Sequence, residues 1–373
     1  MDERGQHGGN VREMAQKWGL DETAILDFSA NINPLGMPTS LKQAIVNRLD
    51  LAESYPDPEY QRLHARLAQH HHCPASWILA GNGATELIFD LASLLRHKTV
   101  LLLTPSFGEY RRALQWMDCR LEEYPLAEED DFRPDTRLLA ALRPGIDCVF
   151  LCTPNNPTGQ LMETSLLLAI AQRCQELSIM LVVDEAFMDF IPDGVSLTDS
   201  LQRFSQVFVL RSLTKFYAIP GLRLGYMVSS NTTAMAQLRQ RRPPWTLNAF
   251  AALAGEILLD DRDYQHATWR WLKQEQTTLT AGLRTIRQLR VWQPTANYIF
   301  FRCLRPALDL QAALLSPVVA TGAAEVITLS PRPLIRRCAN YPGLNGNFYR
   351  VAIKGPKDNQ LLLHELQRVF SYG

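Results

Sequence analysis

Short apolar runs and helical stripes alternate along the middle of the chain. The runs Trp77–Ala80, Thr99–Leu103, Cys148–Cys152, Met180–Val183 and Val207–Leu210 carry almost no polar residue. Short strands that are apolar at nearly every position are buried on both faces. Between several of them the period becomes helical: Leu87, Ile88, Leu91, Leu94 and Leu95 fall on one face. This alternation predicts an α/β fold, a mostly parallel sheet sandwiched by helices. Before Leu41 the pattern is different. "HGGN" and "DFSANINPLGMP" are rich in Gly, Asn and Pro and predict an extended arm with turns. After Asn248 long helical patterns run to about Leu289, strands follow at "ANYIFFRC" and "FYRVAIK", and a last helix lies near Asn359–Phe370. The expected organisation is an N-terminal arm over 1–40, a large α/β domain over 41–247 and a small α+β domain over 248–373, the second boundary falling in "RRPPWTLN".

Composition narrows the partners. Apolar residues make up 46% of the 373, enough for a substantial core, and charges balance at 38 basic and 38 acidic. That neutrality argues against a nucleic-acid or membrane-surface partner. The seven cysteines show no C-x-x-C pair, so free thiols in a reducing cytosol are expected. The N-terminal "MDERGQHGGNVREMAQ" lacks the apolar segment of a signal peptide, and no apolar run reaches the ~18 residues of a membrane span. A soluble cytoplasmic protein is expected.

Lysine is scarce, 7 against 31 arginines, and Lys215 is the only one between Lys98 and Lys273. In open α/β sheets ligands gather at the carboxyl ends of strands, and Lys215 follows one. So do other suggestive residues. "GNGATE" follows the first run, and Gly83, Ala84 and Thr85 open a helix whose free N–H groups suit a phosphate. "TPSFGEY" puts Phe107 at the mouth of the sheet, and "TPNNPTG" puts Asn156 at the next strand end. Asp184 ends an apolar strand, where a carboxylate needs a partner. "RSLTKFYAIPGLRLGY" carries Ser212, Lys215 and, eight positions later, Arg223. Each motif alone has an ordinary structural explanation: a turn, a core aromatic, a cap, a surface lysine. Together they supply donors for a phosphate, an acid for a cationic ring nitrogen, a donor for a phenolate and an amine for an aldehyde. Pyridoxal phosphate has all four groups.

At this level the chain resembles the fold-type-I pyridoxal-phosphate enzymes of the aspartate aminotransferase superfamily. "NNPTG", "DEAF", "SLTK" and "NFYRVAI" occur in that family's order. Within it the chain is similar to histidinol-phosphate aminotransferases, and more closely to the threonine-phosphate decarboxylases of cobalamin biosynthesis. The finer likeness lies in "HGGN", "LDFSANINPLGMP", "ASWILAGNGATE" and "RRCANYPGL". The resemblance implies a covalent aldimine of the cofactor on Lys215, which later shuttles protons, with Asp184 on the ring nitrogen. It implies Asn156 on the phenolate oxygen, Phe107 on the ring face, and Ser212, Arg223 and Gly83–Thr85 on the phosphate. Tyr55 matches a tyrosine that reaches the phosphate from a neighbouring subunit, so a homodimer with shared sites is implied. Arg350 matches the arginine that binds a substrate carboxylate. His7, Gly8, Asn31 and Arg336 match positions that join Asn156 and Arg350 in holding a phosphorylated amino acid. The implied reaction is decarboxylation of O-phospho-L-threonine, with a histidinol-phosphate-type aminotransferase as the alternative.

Two departures stand out. Phe187 replaces a tyrosine that in many aminotransferases bonds the phenolate oxygen, and Ser316–Pro333 is longer by about a dozen residues than a typical connection. A non-catalytic cofactor-binding module is the reading from another class; the substrate-side residues and the absence of a DNA-binding domain argue against it. "QHHHC", His70–Cys73, has metal-ligand residues but no partnering cluster, and is expected to be a solvated helix end; no metal is expected. Trp269 and Trp271 are expected to pack or to make a dimer contact rather than to stack on a ligand.

Overall fold

A computed structural model describes residues 7–316 and 331–371. Helix α1 (Val11–Trp18) and strand β1 (Ile25–Asp27) come first. Helices α2 (Thr39–Asn47) and α3 (Gln61–His70) lead to β2 (Ile78–Asn82). Then follow α4 (Ala84–Ser93), β3 (Thr99–Thr104), α5 (Gly108–Trp116), β4 (Arg120–Pro125), α6 (Leu138–Ala141) and β5 (Cys148–Cys152). Next are α7 (Thr164–Leu177), β6 (Met180–Asp184), β7 (Val207–Ser212), α8 (Leu213–Phe216) and β8 (Leu224–Val228). Helices α9 (Thr232–Arg241), α10 (Ala249–Ile257) and α11 (Arg262–Arg284) precede β9 (Leu289–Val291) and β10 (Tyr298–Cys303). The chain ends with α12 (Leu310–Leu315), β11 (Arg332–Leu334), β12 (Arg336–Arg337), β13 (Phe348–Ala352) and α13 (Pro356–Ser371).

Two compact units result: a large one from 32–156 and 160–270, and a small one from 1–31, 157–159 and 271–373. The grouping therefore changes within α11, whereas the sequence pattern changes near Asn248; α10 is the first helix after that change and stays with the large unit.

The large unit is built on a seven-stranded sheet in the order β2-β8-β7-β6-β5-β3-β4. The pairs from β4 to β7 are parallel and β8 is antiparallel to both its neighbours. Each expected strand run coincides with a strand, except that Trp77 closes a 3-10 turn just before β2. Alternate residues Val100, Leu102, Cys148, Phe150, Val182, Phe208, Leu210 and Met227 share one cluster with Leu87, Ile88 and Leu91 of α4. Their neighbours Leu101, Val149, Leu151, Leu181, Val183 and Val209 are buried too. Burial on both faces is why these strands show no alternation.

In the small unit the antiparallel sheet runs β12-β13-β10-β9, and β1 pairs in parallel with β11. The expectation of an extended arm is corrected here. Residues 11–18 form α1, closed by Gly19 in the left-handed region (φ 62), and Met14, Ala15 and Ile25 are buried with Leu315 and Leu334. The Gly- and Asn-rich flanks mask a short amphipathic helix between them. Of the long Ser316–Pro333 segment, 317–330 lie outside the described residues.

Candidate active site

The topology brings the large unit's candidate residues to one edge of its sheet. Cys152 pairs with Asp184 and Asp184 with Leu210, so β5 and β6 end level and β7 runs two residues further, to Ser212. Strand β8 runs the other way, with Leu224 opposite Asn82 and Gly225 opposite Ser212. Arg223, just before β8, therefore stands at the same edge as the end of β2. Gly83–Thr85, Phe107, Asn156, Asp184, Ser212, Lys215 and Arg223 thus share the carboxyl edge.

A phosphate cradle is visible at the start of α4. Gly83 precedes the helix with φ +80 and, as a glycine, makes no side-chain cap bond to the first amides. A Cβ on Gly83 would lie 2.3 Å from Arg223 Nη2, and one on Gly225 would lie 2.4 Å from Ala84 N. Only glycine lets the guanidinium and the β8 backbone approach this helix start so closely. Open amides, the positive end of a helix dipole and an arginine suit an anion.

Next to it, Lys215 Nζ donates to Thr214 Oγ1 at 2.9 Å, and the Thr214 and Ser212 hydroxyls lie 2.8 Å apart. Asn33 fixes this turn: its N–H donates to Lys215 O at 3.1 Å and its Nδ2 to Phe216 O at 2.8 Å. At the end of β6, Asp184 is 5% exposed. Its Oδ2 accepts from Tyr110 Oη at 2.6 Å and its Oδ1 from Ala186 N at 2.9 Å. Burial pushes the carboxyl up, against the pull of Tyr110, Ala186 and the Lys215 charge. A buried carboxylate of this kind favours a cationic neighbour. Phe107 stands before α5, edge-on to Tyr110. Asn156 is buried after β5; its neighbour Asn155 ties this loop to the one after β3 through Pro105 O, at 3.0 Å. Phe187 is buried beside Phe190 and offers no hydroxyl. The residues present fit pyridoxal phosphate: an amine, a buried acid, an aromatic and a phosphate cradle.

Beneath the edge, Arg211 bridges Glu185 and Asp189, all three within the large unit. Tyr55 lies elsewhere in that unit, 81% exposed, its ring 4.7 Å from that of Trp245.

The other candidates belong to the small unit. Arg350 on β13 and Arg336 on β12 are directly opposite each other. Arg350 Nη2 donates to Ser29 O at 2.9 Å; Arg336 Nη2 donates to Asn340 Oδ1 at 2.8 Å. Like charges facing across a ladder are unfavourable, and an anion relieves them. Gly8 lies so close to Ser29 that a Cβ would meet its carbonyl oxygen at 2.1 Å. Ser29 Oγ accepts from Gly9 N at 2.8 Å, which fixes the segment after the exposed His7. Asn31 is 3% exposed, and its Oδ1 is a buried acceptor without a hydrogen-bond partner among the described residues.

Motif reasoning assigned no role to Tyr110, Thr214, Asn33 or Ser29. Tyr110 had a signal, being one helical turn beyond Phe107; the others act through contacts distant in sequence or on a neighbour's side chain.

The aminotransferase class I and II model matches residues 23–359. The chain belongs to that family. Among the family's curated relatives, threonine-phosphate decarboxylase of Salmonella typhimurium is 50% identical over 98% of this chain and 96% of that protein. The adenosylcobalamin biosynthesis bifunctional protein CobDQ of Leptospira interrogans is 31% identical over 99% of this chain, which spans 41% of that protein. Among solved structures, the histidinol-phosphate aminotransferase of Clostridium acetobutylicum superposes with a TM-score of 0.85 at 30% identity, covering 94% of this chain and all (100%) of that one.

Proposed function

We propose that this family member is a pyridoxal-phosphate-dependent threonine-phosphate decarboxylase. It converts O-phospho-L-threonine to (R)-1-amino-2-propanol O-2-phosphate and CO₂, for the aminopropanol linker of cobalamin. The observation that carries this reading is the near-full-length likeness to the Salmonella enzyme, at half of all positions. The likeness to the CobDQ protein is in keeping with the pathway.

Lys215 would hold the cofactor's aldehyde, Asp184 its ring nitrogen, Asn156 its phenolate oxygen and Phe107 its ring face. Ser212, Arg223 and the start of α4 would hold its phosphate. Bound pyridoxal phosphate supplies an electron sink for the pair left when a bond at the substrate's Cα breaks. The protein's residues decide which bond that is. Arg336 and Arg350, opposed across the β12–β13 ladder, suit a small amino acid carrying both a carboxylate and a phosphate; bidentate guanidinium contacts fix its orientation. His7, Gly8, Asn31 and Asn156 are assigned to the same substrate. Held so, the carboxylate leaves as CO₂, and Lys215 Nζ, resting on Thr214, returns a proton to Cα. A cytoplasmic homodimer, with Tyr55 of each subunit serving its neighbour's phosphate site, is part of this reading.

The fold likeness to the Clostridium enzyme favours a second reading, a histidinol-phosphate-type aminotransferase. The two separate cleanly. A decarboxylase turns over phosphothreonine without an acceptor acid and releases no keto acid. An aminotransferase stalls with its cofactor in the amine form until 2-oxoglutarate is added.

A further inference from the structure

Tyr110 is not among the residues assigned to the cofactor, yet it touches the buried carboxylate of Asp184. Its hydroxyl donates to Asp184 Oδ2 at 2.6 Å, and the residue is 1% exposed. Its ring meets Phe107 edge-on, centroids 5.6 Å apart at 83°, and Phe150 at 5.4 Å. Close packing leaves this phenol little freedom, so its oxygen is a fixed donor. Burial and the adjacent Asp184 push its own ionisation well above the ordinary tyrosine range, so it keeps its proton at any working pH. Among the described residues, the other titratable groups facing Asp184 are Lys215 of α8 and Cys152 of β5. Burial keeps the Cys152 thiol neutral. Tyr110 and Lys215 thus favour the charged carboxylate, and burial opposes it.

We propose that Tyr110 is the positioning residue for Asp184: its O–H holds Oδ2 in one orientation and donates to the charged form of the carboxylate. A hydrogen bond to the charged form lowers a carboxyl's pKa. The ionised form in turn favours a protonated ring nitrogen. The inference rests on the cofactor assigned above and not on the substrate, so its test uses pyridoxal phosphate alone.

The measurement is the Kd of pyridoxal phosphate across a pH series, by equilibrium dialysis, for the full-length protein and Tyr110→Phe. Removing the donor raises the Asp184 pKa, so the acid limb of the affinity profile moves to higher pH. A shift of about one unit is expected, which is about tenfold in affinity on the limb. Replacing residue 110 by 3-fluorotyrosine keeps the shape, strengthens the donor and should move the limb to lower pH. That second protein decides the matter if Tyr110→Phe does not fold. A purely structural tyrosine would lower Tm and leave the limb in place. Limbs that coincide with the wild type's overturn the proposal, whatever happens to Tm.

Discussion

Arg223 and Gly83 show how a single missing side chain makes room for a site. The guanidinium occupies the space a Cβ would need, 2.3 Å from it, and Gly83 adopts φ +80. Gly83→Ala should therefore do two things. It should cost about 1–3 kcal/mol of stability for the strained backbone, and it should displace Arg223 from the helix start. We expect at least a tenfold loss of pyridoxal phosphate affinity by dialysis, measured where the variant remains folded. Unchanged affinity would remove the helix start from the cradle. At this scale much of the site was legible in sequence. Asp184, Ser212 and Lys215 stand where apolar runs end, and such runs are visible in the sequence; Arg223 comes from its spacing of eight after Lys215. Asn33 was not legible, because its partner is more than 180 residues away; Tyr110 showed only its place one turn beyond Phe107, its partner lying 74 residues on.

Elements show where pattern fails. Strands β3, β5, β6 and β7 were legible because a strand buried on both faces reads as one apolar run. Helix α1 was not, because its eight residues give only about two turns and lie between Gly- and Asn-rich flanks that read as turns. "QHHHC" was expected to be a solvated helix end. His70 and His72 are exposed at the end of α3, whereas His71 bonds Tyr226 Oη at 2.8 Å and burial holds its pKa down at about 2. Trp269 and Trp271 do pack, their Nε1 groups donating to Asp189 O and Lys354 O. Helix α3 also carries a pH-dependent dock. His64 Nε2 accepts from Ala80 N of β2 at 3.1 Å, and burial first, then Arg239 and Arg242, lower its pKa to about 4. The folded imidazole stays neutral while the unfolded one takes a proton below about 6.5. The stability it contributes is complete above pH 6.5 and is lost as pH falls toward 4, at up to about 1.4 kcal/mol per unit. Urea unfolding between pH 4 and 7 should show this slope as the difference between wild type and His64→Gln. A flat difference would mean that His64 titrates normally in the fold.

For the whole molecule, the exposed Tyr55 and Trp245 mark the face on which the homodimer reading depends. Sedimentation equilibrium should give twice the 42.3 kDa chain mass. Mixing Lys215→Ala with Tyr55→Phe subunits should create hybrids with one intact site, recovering tight cofactor binding that neither parent has. Failure of mixing to recover it would place Tyr55 outside the shared site. Fold class was legible because strand–helix alternation constrains topology strongly. Substrate choice was not legible in the chemistry of the strand ends, which serve aminotransferases and decarboxylases alike. It came from segments such as "HGGN" and "RRCANYPGL", now seen around the β12–β13 arginines and the Gly8–Ser29 contact.

The central claim is the bond that breaks. O-phospho-L-threonine labelled in its carboxyl carbon, incubated with the purified protein and pyridoxal phosphate but no acceptor acid, should release labelled CO₂ and aminopropanol phosphate in equal amounts over many turnovers. Retention of the label in a keto acid, with turnover only when 2-oxoglutarate is present, would contradict it.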